Sequence, residues 1–179
     1  DDTAGNDTAK PAAIDGGIPK LPTGTDAMLK TTITGSLPKP SWLAQPEKLW
    51  APWAAEDPAQ LQEAKHDAVR LAILDQKQAG IDIVTDGEMR RENYIHYHCR
   101  RLDGMDFANR ADMEFRPGYH GRVPAITGAI RAQAPFLPSD WKAAQDMTDR
   151  PVKITLPGPV TIGNACVDEH YGDDRDARK

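Results

Sequence analysis

The chain has 179 residues, 22 basic and 27 acidic side chains, a formal net charge of -5 and a mean hydropathy of -0.61. That balance fits one soluble domain and argues against a basic surface for nucleic acid or an anionic membrane. No window approaches the ~20 consecutive apolar residues of a membrane span, the N-terminus lacks the basic flank and apolar core of a secretory signal, and a cytoplasmic protein is expected. Cys99 and Cys166, without CxxC spacing, are too few for a disulfide scaffold and suit a reducing compartment.

Residues 1–27 carry Asp, Thr, Ala, Gly and Pro with isolated Ile14, Ile18 and Leu21, which predicts a disordered tail or an expression remnant preceding a natural start at Met28; residues 28–179 form the domain. The β-branched run Thr31–Thr34 predicts a strand that turns at Gly35-Ser36. Pro38, Pro40, Pro46, Pro52 and Pro58 make the next stretch a long loop, packed down because Trp42, Trp50 and Trp53 need apolar cover. From Gln60 to Ala79 there is no Pro or Gly, and Leu61, Ala64, Ala68, Leu71 and Ala72 recur at helical spacing; Asp57-Pro58 starts this helix and Gly80 stops it. Ile81–Thr85 then reads as a strand that delivers Glu88 beyond its C-terminal end.

Tyr94 to Arg116 shows no clean period and is expected to be irregular, with one helical turn at most. Arg122 to Ile130, with Pro124 and Gly128, suits an edge hairpin. Ser139-Asp140 is placed to cap a helix from Trp141 to Met147, and Val152–Leu156 reads as a strand closed by Pro157-Gly158-Pro159. Asp173 to Lys179 would begin another helix. Three parallel-type strands ending in Gly or Pro turns predict an α/β fold, namely the early βα units of a partial (β/α)8 barrel, whose full form takes about 250 residues. Such a piece has open sheet edges through which it could self-associate.

In a parallel barrel the loops after the strands form the site, so Gly35-Ser36, Asp86-Gly87-Glu88 and Pro157-Gly158-Pro159 are expected at one mouth. Backbone amides and the hydroxyl at Gly35-Ser36 suit a carboxylate, and Glu88 suits an ammonium group, a complement to a small amino acid; the plain alternative is a turn glycine and a solvated rim charge. Arg90, Arg91, Arg100 and Arg101 could hold a polyanionic tail, although a charge run more often forms a solvated face, here with Asp86, Glu92 and Asp103. His96, His98 and Cys99 are zinc-ligand types. In an extended segment Cys99 would point away from the two imidazoles, and in a helix His98 would point away from His96 and Cys99, so no zinc is expected in this chain. Walker, GxGxxG and GxSxG motifs are missing from the sequence, which removes the anchors of phosphate-loop, dinucleotide and α/β-hydrolase readings.

Three blocks, Thr31-Thr32-Ile33-Thr34-Gly35-Ser36-Leu37-Pro38-Lys39-Pro40, Thr85-Asp86-Gly87-Glu88-Met89-Arg90-Arg91 and Val152-Lys153-Ile154-Thr155-Leu156-Pro157-Gly158-Pro159-Val160-Thr161, resemble successive segments of the cobalamin-independent methionine synthase family, more narrowly its short single-barrel members. The resemblance implies a methyltransferase that moves a methyl group from a methyltetrahydrofolate-like donor to the thiol of homocysteine, in methionine biosynthesis. It implies that Thr34, Gly35 and Ser36 hold the amino-acid carboxylate, that Glu88 contacts the ammonium group, and that Arg122 lies near the folate. Zinc is implied for the full-length enzyme. Its family ligands, a His-x-Cys pair, a Glu and a further Cys from later strands, have no counterpart in this sequence, since His98-Cys99 lacks the intervening residue. The chain therefore resembles the substrate-binding first part of such an enzyme, and its activity alone is doubtful. The alternatives are a non-catalytic truncated chain or subunit that completes a barrel with a partner, and a related zinc-dependent alkyl transferase acting on another thiol.

Overall fold

The computed structural model describes residues 29–45 and 52–172. The expected tail, Trp50 and the expected C-terminal helix lie outside these residues. The chain is a mixed α/β protein with two small sheets.

Helix α1, Pro58–Gln78, is the longest. Asp57 caps it by accepting a 3.2 Å bond from the Ala59 amide, Pro58 fills the first position, and Gly80 turns the chain away at φ 80°. Ala68, Val69, Ala72, Ile73 and Gln76 form its buried stripe, packed with Leu43, Ala44, Val84, Met89 and Ala144. Leu37 and, from the proline-rich loop, Trp53 pack against the same core, which gives Trp53 the expected cover, whereas Trp42 is about half exposed at 48%. The Ala44–Trp53 bridge closes that loop.

Strand β1, Val84–Thr85, pairs in parallel with β4, Val152–Lys153. On its other side lies Thr32, bridged in parallel to Ile83. The three expected segments are thus parallel and adjacent, but short. The first is a single bridge rather than a strand over Thr31–Thr34, because Asp82 takes both the amide and the hydroxyl of Thr31 at 2.7 Å, and this side-chain clamp stands where a ladder would continue. The third ends at Lys153 rather than Leu156, and Lys153 Nζ donates to the Ile33 carbonyl at 2.7 Å across the site end of the sheet.

The second sheet corrects the reading of 94–116. Helix α2, His96–Cys99, leads into β2, Leu102–Arg116, which pairs antiparallel with β3, Tyr119–Ala132; β5, Val167–Asp168, adds in parallel to β3. The hairpin turns at Gly118, φ 77°. Arg110 to Arg116 alternates charged and apolar residues, the period of a strand, and the pairing of β2 is interrupted between Asp106 and Ala111. There the Asp106 carboxylate accepts the amides of Ala108 and Asn109 in a local turn. Pro124, opposite that interruption, costs no ladder bond. Cys99, Ile126 and Cys166 make a second, smaller core beneath the ribbon.

Helix α3 runs Leu137–Gln145, earlier than the expected Trp141–Met147, because Pro138 sits in its first turn. Ser139 is not its cap; its hydroxyl donates to the Phe136 carbonyl at 2.6 Å. Helix α4, Pro159–Gly163, begins directly after Gly158. Among the described residues no helix is long and apolar enough to cross a membrane.

Candidate functional site

The loops that follow the three parallel segments meet at one end of the sheet. The Leu37 amide donates to the Gly87 carbonyl at 3.1 Å, so Ser36 and Glu88 each lie one residue from the same hydrogen bond. Gly35 adopts φ 92° and Gly87 φ 64°, conformations that favour glycine. A Cβ on Gly87 would stand 2.9 Å from that of Ala72 and 3.4 Å from Leu37 Cδ1, so the second loop can only lie this close to α1 and the first loop without a side chain there. Thr34, Gly35 and Ser36 are exposed.

Glu88 is not a solvated rim charge. It is 3% exposed and has φ 59°, a left-handed conformation that a side-chain-bearing residue adopts at a cost of about 1 kcal/mol or more. Asp86 holds that backbone, its Oδ1 accepting the Glu88 amide at 3.0 Å. The Thr155 hydroxyl, just past β4, donates to Glu88 Oε1 at 2.7 Å, and Arg91 Nη1 donates to Thr155 Oγ1 at 3.3 Å. Arg91 Nη1 also lies 3.8 Å from Glu88 Oε1, an ion pair.

Arg91, expected on a solvated face, is 1% exposed and is among the largest fully buried side chains. Its Nε and Nη2, together with Asp86 Oδ2, are buried with no hydrogen-bond partner among the described residues. Such atoms are rare in native proteins, and here three of them lie on Asp86 and Arg91, beside Glu88. Burial pushes the Asp86 carboxyl above its ordinary range, with the Arg91 charge opposing. Burial likewise lowers Lys39, while the Glu88 and Glu92 carboxylates pull it back up. Asp86 lies at the mouth where the sequence placed it, whereas Lys39, Arg91 and Thr155 join the amino-acid cluster without having been assigned to it; the one available signal was their position within or just beyond the strand-end loops.

The model of the cobalamin-independent synthase catalytic domain matches residues 29–178. The chain belongs to this family. It is 33% identical over 150 residues to a methionine synthase of Sulfolobus acidocaldarius, an alignment that covers 83% of this chain and 43% of the relative. It is 30% identical over 165 residues to a 2-hydroxypropyl-CoM lyase of Xanthobacter autotrophicus, covering 86% of this chain and 42% of that one. Among solved structures, a B12-independent methionine synthase from Shewanella sp. W3-18-1, in complex with selenomethionine, superposes with a TM-score of 0.78 at 40% identity, covering 85% of this chain and 44% of that one. The family member described here thus spans less than half the length of these relatives.

Not every residue singled out from the sequence joins the cluster. Arg122 sits on β3 and donates from Nε to the Arg110 carbonyl at 3.0 Å, a contact within the hairpin. His96, His98 and Cys99 are buried around α2. His96 Nε2 lies 3.0 Å from the Ala165 carbonyl, His98 Nδ1 lies 3.0 Å from the Tyr94 carbonyl, and Cys99 Sγ is 3.9 Å from Cys166 Sγ. Among the described residues no group of three or more His, Cys, Asp or Glu side chains converges as a metal site. With both imidazoles at backbone carbonyls and the two thiols facing each other, these residues do not fit zinc.

Proposed function

We propose that this chain is the amino-acid-binding first part of a (β/α)8-barrel methyltransferase of the methionine synthase type, which passes a methyl group from a methyltetrahydrofolate-like donor to the thiol of homocysteine. The amides and hydroxyl of Thr34, Gly35 and Ser36 receive the α-carboxylate, and Glu88 receives the ammonium group. The two ends of the amino acid then fix the direction of its side chain, which is what a transfer to sulfur requires of this part of the protein. Arg122 is assigned to the folate side on the family resemblance alone. The open sheet edges would be covered by further chain or by a second copy.

The observation that carries the proposal is the buried Glu88 carboxylate, fixed by Asp86 and Thr155 beside the Gly35-Ser36 turn. The selenomethionine bound by the Shewanella relative supports an amino acid as the ligand class. Titration of the protein with L-methionine and L-homocysteine tests it. Glu88→Gln, which keeps the shape and removes the charge, should weaken both about tenfold. Unchanged affinity would remove Glu88 from amino-group recognition.

The similarity to the 2-hydroxypropyl-CoM lyase favours a second reading, alkyl transfer to a thiol that is not an amino acid. A buried carboxylate repels an anionic tail and attracts an ammonium, so competition between homocysteine and 2-mercaptoethanesulfonate separates the two readings. Preference for the sulfonate would install the second.

A further inference from the structure

We infer that Thr155 and Arg91 are positioning residues that aim Glu88 at the ammonium group of the bound amino acid, and so set selectivity for amine-bearing ligands. The inference rests on the amino-acid reading above and goes beyond it by naming what makes Glu88 selective.

A carboxylate side chain with free rotamers pays conformational entropy each time it meets a ligand; one already held does not. Glu88 is held at both ends. Its amide is taken by Asp86 Oδ1 at 3.0 Å, which fixes the left-handed backbone, and its Oε1 is taken by the Thr155 hydroxyl at 2.7 Å. A threonine hydroxyl has one proton. With Arg91 Nη1 donating to Thr155 Oγ1 at 3.3 Å, a lone pair of that oxygen is occupied and the proton is directed to Glu88. Thr155 therefore engages Oε1, which assigns Oε2 to the ligand.

Arg91 is in turn fixed over the Tyr97 ring, its guanidinium carbon 5.8 Å from the ring centre. A buried arginine serving packing alone would use its donors on protein acceptors. Arg91 instead leaves Nε and Nη2 without partners among the described residues, while its Nη1 is the atom that reaches Thr155 and lies nearest Glu88. Asp86, Glu88 and Arg91 are only 1%, 3% and 1% exposed, and the Glu88 carboxylate also acts on the nearby Lys39.

The test compares L-methionine with its des-amino analogue, 4-(methylsulfanyl)butanoate, by titration of the full chain. Thr155→Val keeps the side-chain shape and removes only the hydroxyl, and Thr155→Ser restores it. Thr155→Val should lose about five- to tenfold in affinity for L-methionine and nothing for the analogue, Thr155→Ser should recover most of the loss, and the double variant with Glu88→Gln should be no weaker than Glu88→Gln alone. Arg91→Lys should show the same selectivity loss, since a single ammonium cannot reproduce the planar fork; if that variant does not fold, the Thr155 series decides. Equal weakening of both ligands by Thr155→Val, or losses that add with Glu88→Gln, would make Thr155 and Arg91 structural and overturn the inference. Failure of Glu88→Gln itself to discriminate the ligands would instead overturn the amino-acid reading, and this inference with it.

Discussion

Gln76 grips Thr85 with both ends of its side-chain amide. Its Nε2 donates to the Thr85 carbonyl at 2.9 Å, and its Oε1 accepts the Thr85 amide at 2.8 Å. The glutamine of α1 thus supplies in two bonds what a neighbouring strand residue would supply to β1, and it is 4% exposed while doing so. Removing it leaves a buried amide and a buried carbonyl unpaired, each worth about 1–3 kcal/mol. Gln76→Ala should therefore lower the unfolding free energy in urea by about 2 kcal/mol or more, and Gln76→Glu, which lacks the donor, should also destabilise. A loss below about 0.5 kcal/mol for the alanine variant would show that water replaces the amide at no cost.

Gly87 and Gly158 offer a matched pair. At Gly87 a Cβ meets Ala72 at 2.9 Å and the backbone is left-handed, whereas at Gly158 nothing lies within 4 Å and φ is -75°. Gly87→Ala should cost about 2 kcal/mol or more and displace the Leu37–Gly87 contact, weakening amino-acid binding together with stability. Gly158→Ala should be nearly neutral. Urea midpoints of the two variants check this, and equal effects would mean that the Gly87 loop moves aside freely.

What the sequence could disclose followed from whether a feature was local. Helix α1 was legible because Asp57, Pro58 and Gly80 each act on the turn beside them and the residues between carry no breaker. The positions of Gly35-Ser36 and Glu88 at one end of the sheet were legible because strand ends and turn glycines are also local signals. Strand β2 carried a local signal too, since Arg110, Asp112, Glu114 and Arg116 alternate with Ala111, Met113 and Phe115, but Gly104 and the Ala108-Asn109 turn interrupt the pattern ahead of it, and pairing with β3 is what makes the whole segment a strand. Nor could sequence bring Thr155 to Glu88, 67 positions away, or reveal that Arg91 points inward at Thr155, 64 positions away; only the parallel pairing of β1 with β4 makes those contacts.

His98 gives a pH prediction whose sign can be worked out. Its ring lies among Tyr97 and Phe136, each with centroid 5.7 Å away, and Tyr94 at 6.5 Å. Burial lowers its pKa below the ordinary 6.5, the Arg91 charge lowers it further, and the Tyr94 carbonyl, Glu88 and Asp140 oppose. As pH falls through 6.5 the unfolded chain takes up a proton that the folded chain refuses, so the stability present above 6.5 is lost progressively until the folded-state value is reached. His98→Phe keeps an aromatic ring in the cage and removes this titration. At pH 8 it should cost only the lost Nδ1 bond to the Tyr94 carbonyl, about 1 kcal/mol. Between pH 7.5 and 5.5 its unfolding free energy should fall less steeply than that of the unaltered protein, by up to about 1.4 kcal/mol per pH unit for one proton. Part of the slope should persist, because burial also lowers His96. Urea unfolding across that range measures both chains, and identical slopes would show that His98 binds its proton equally well folded and unfolded.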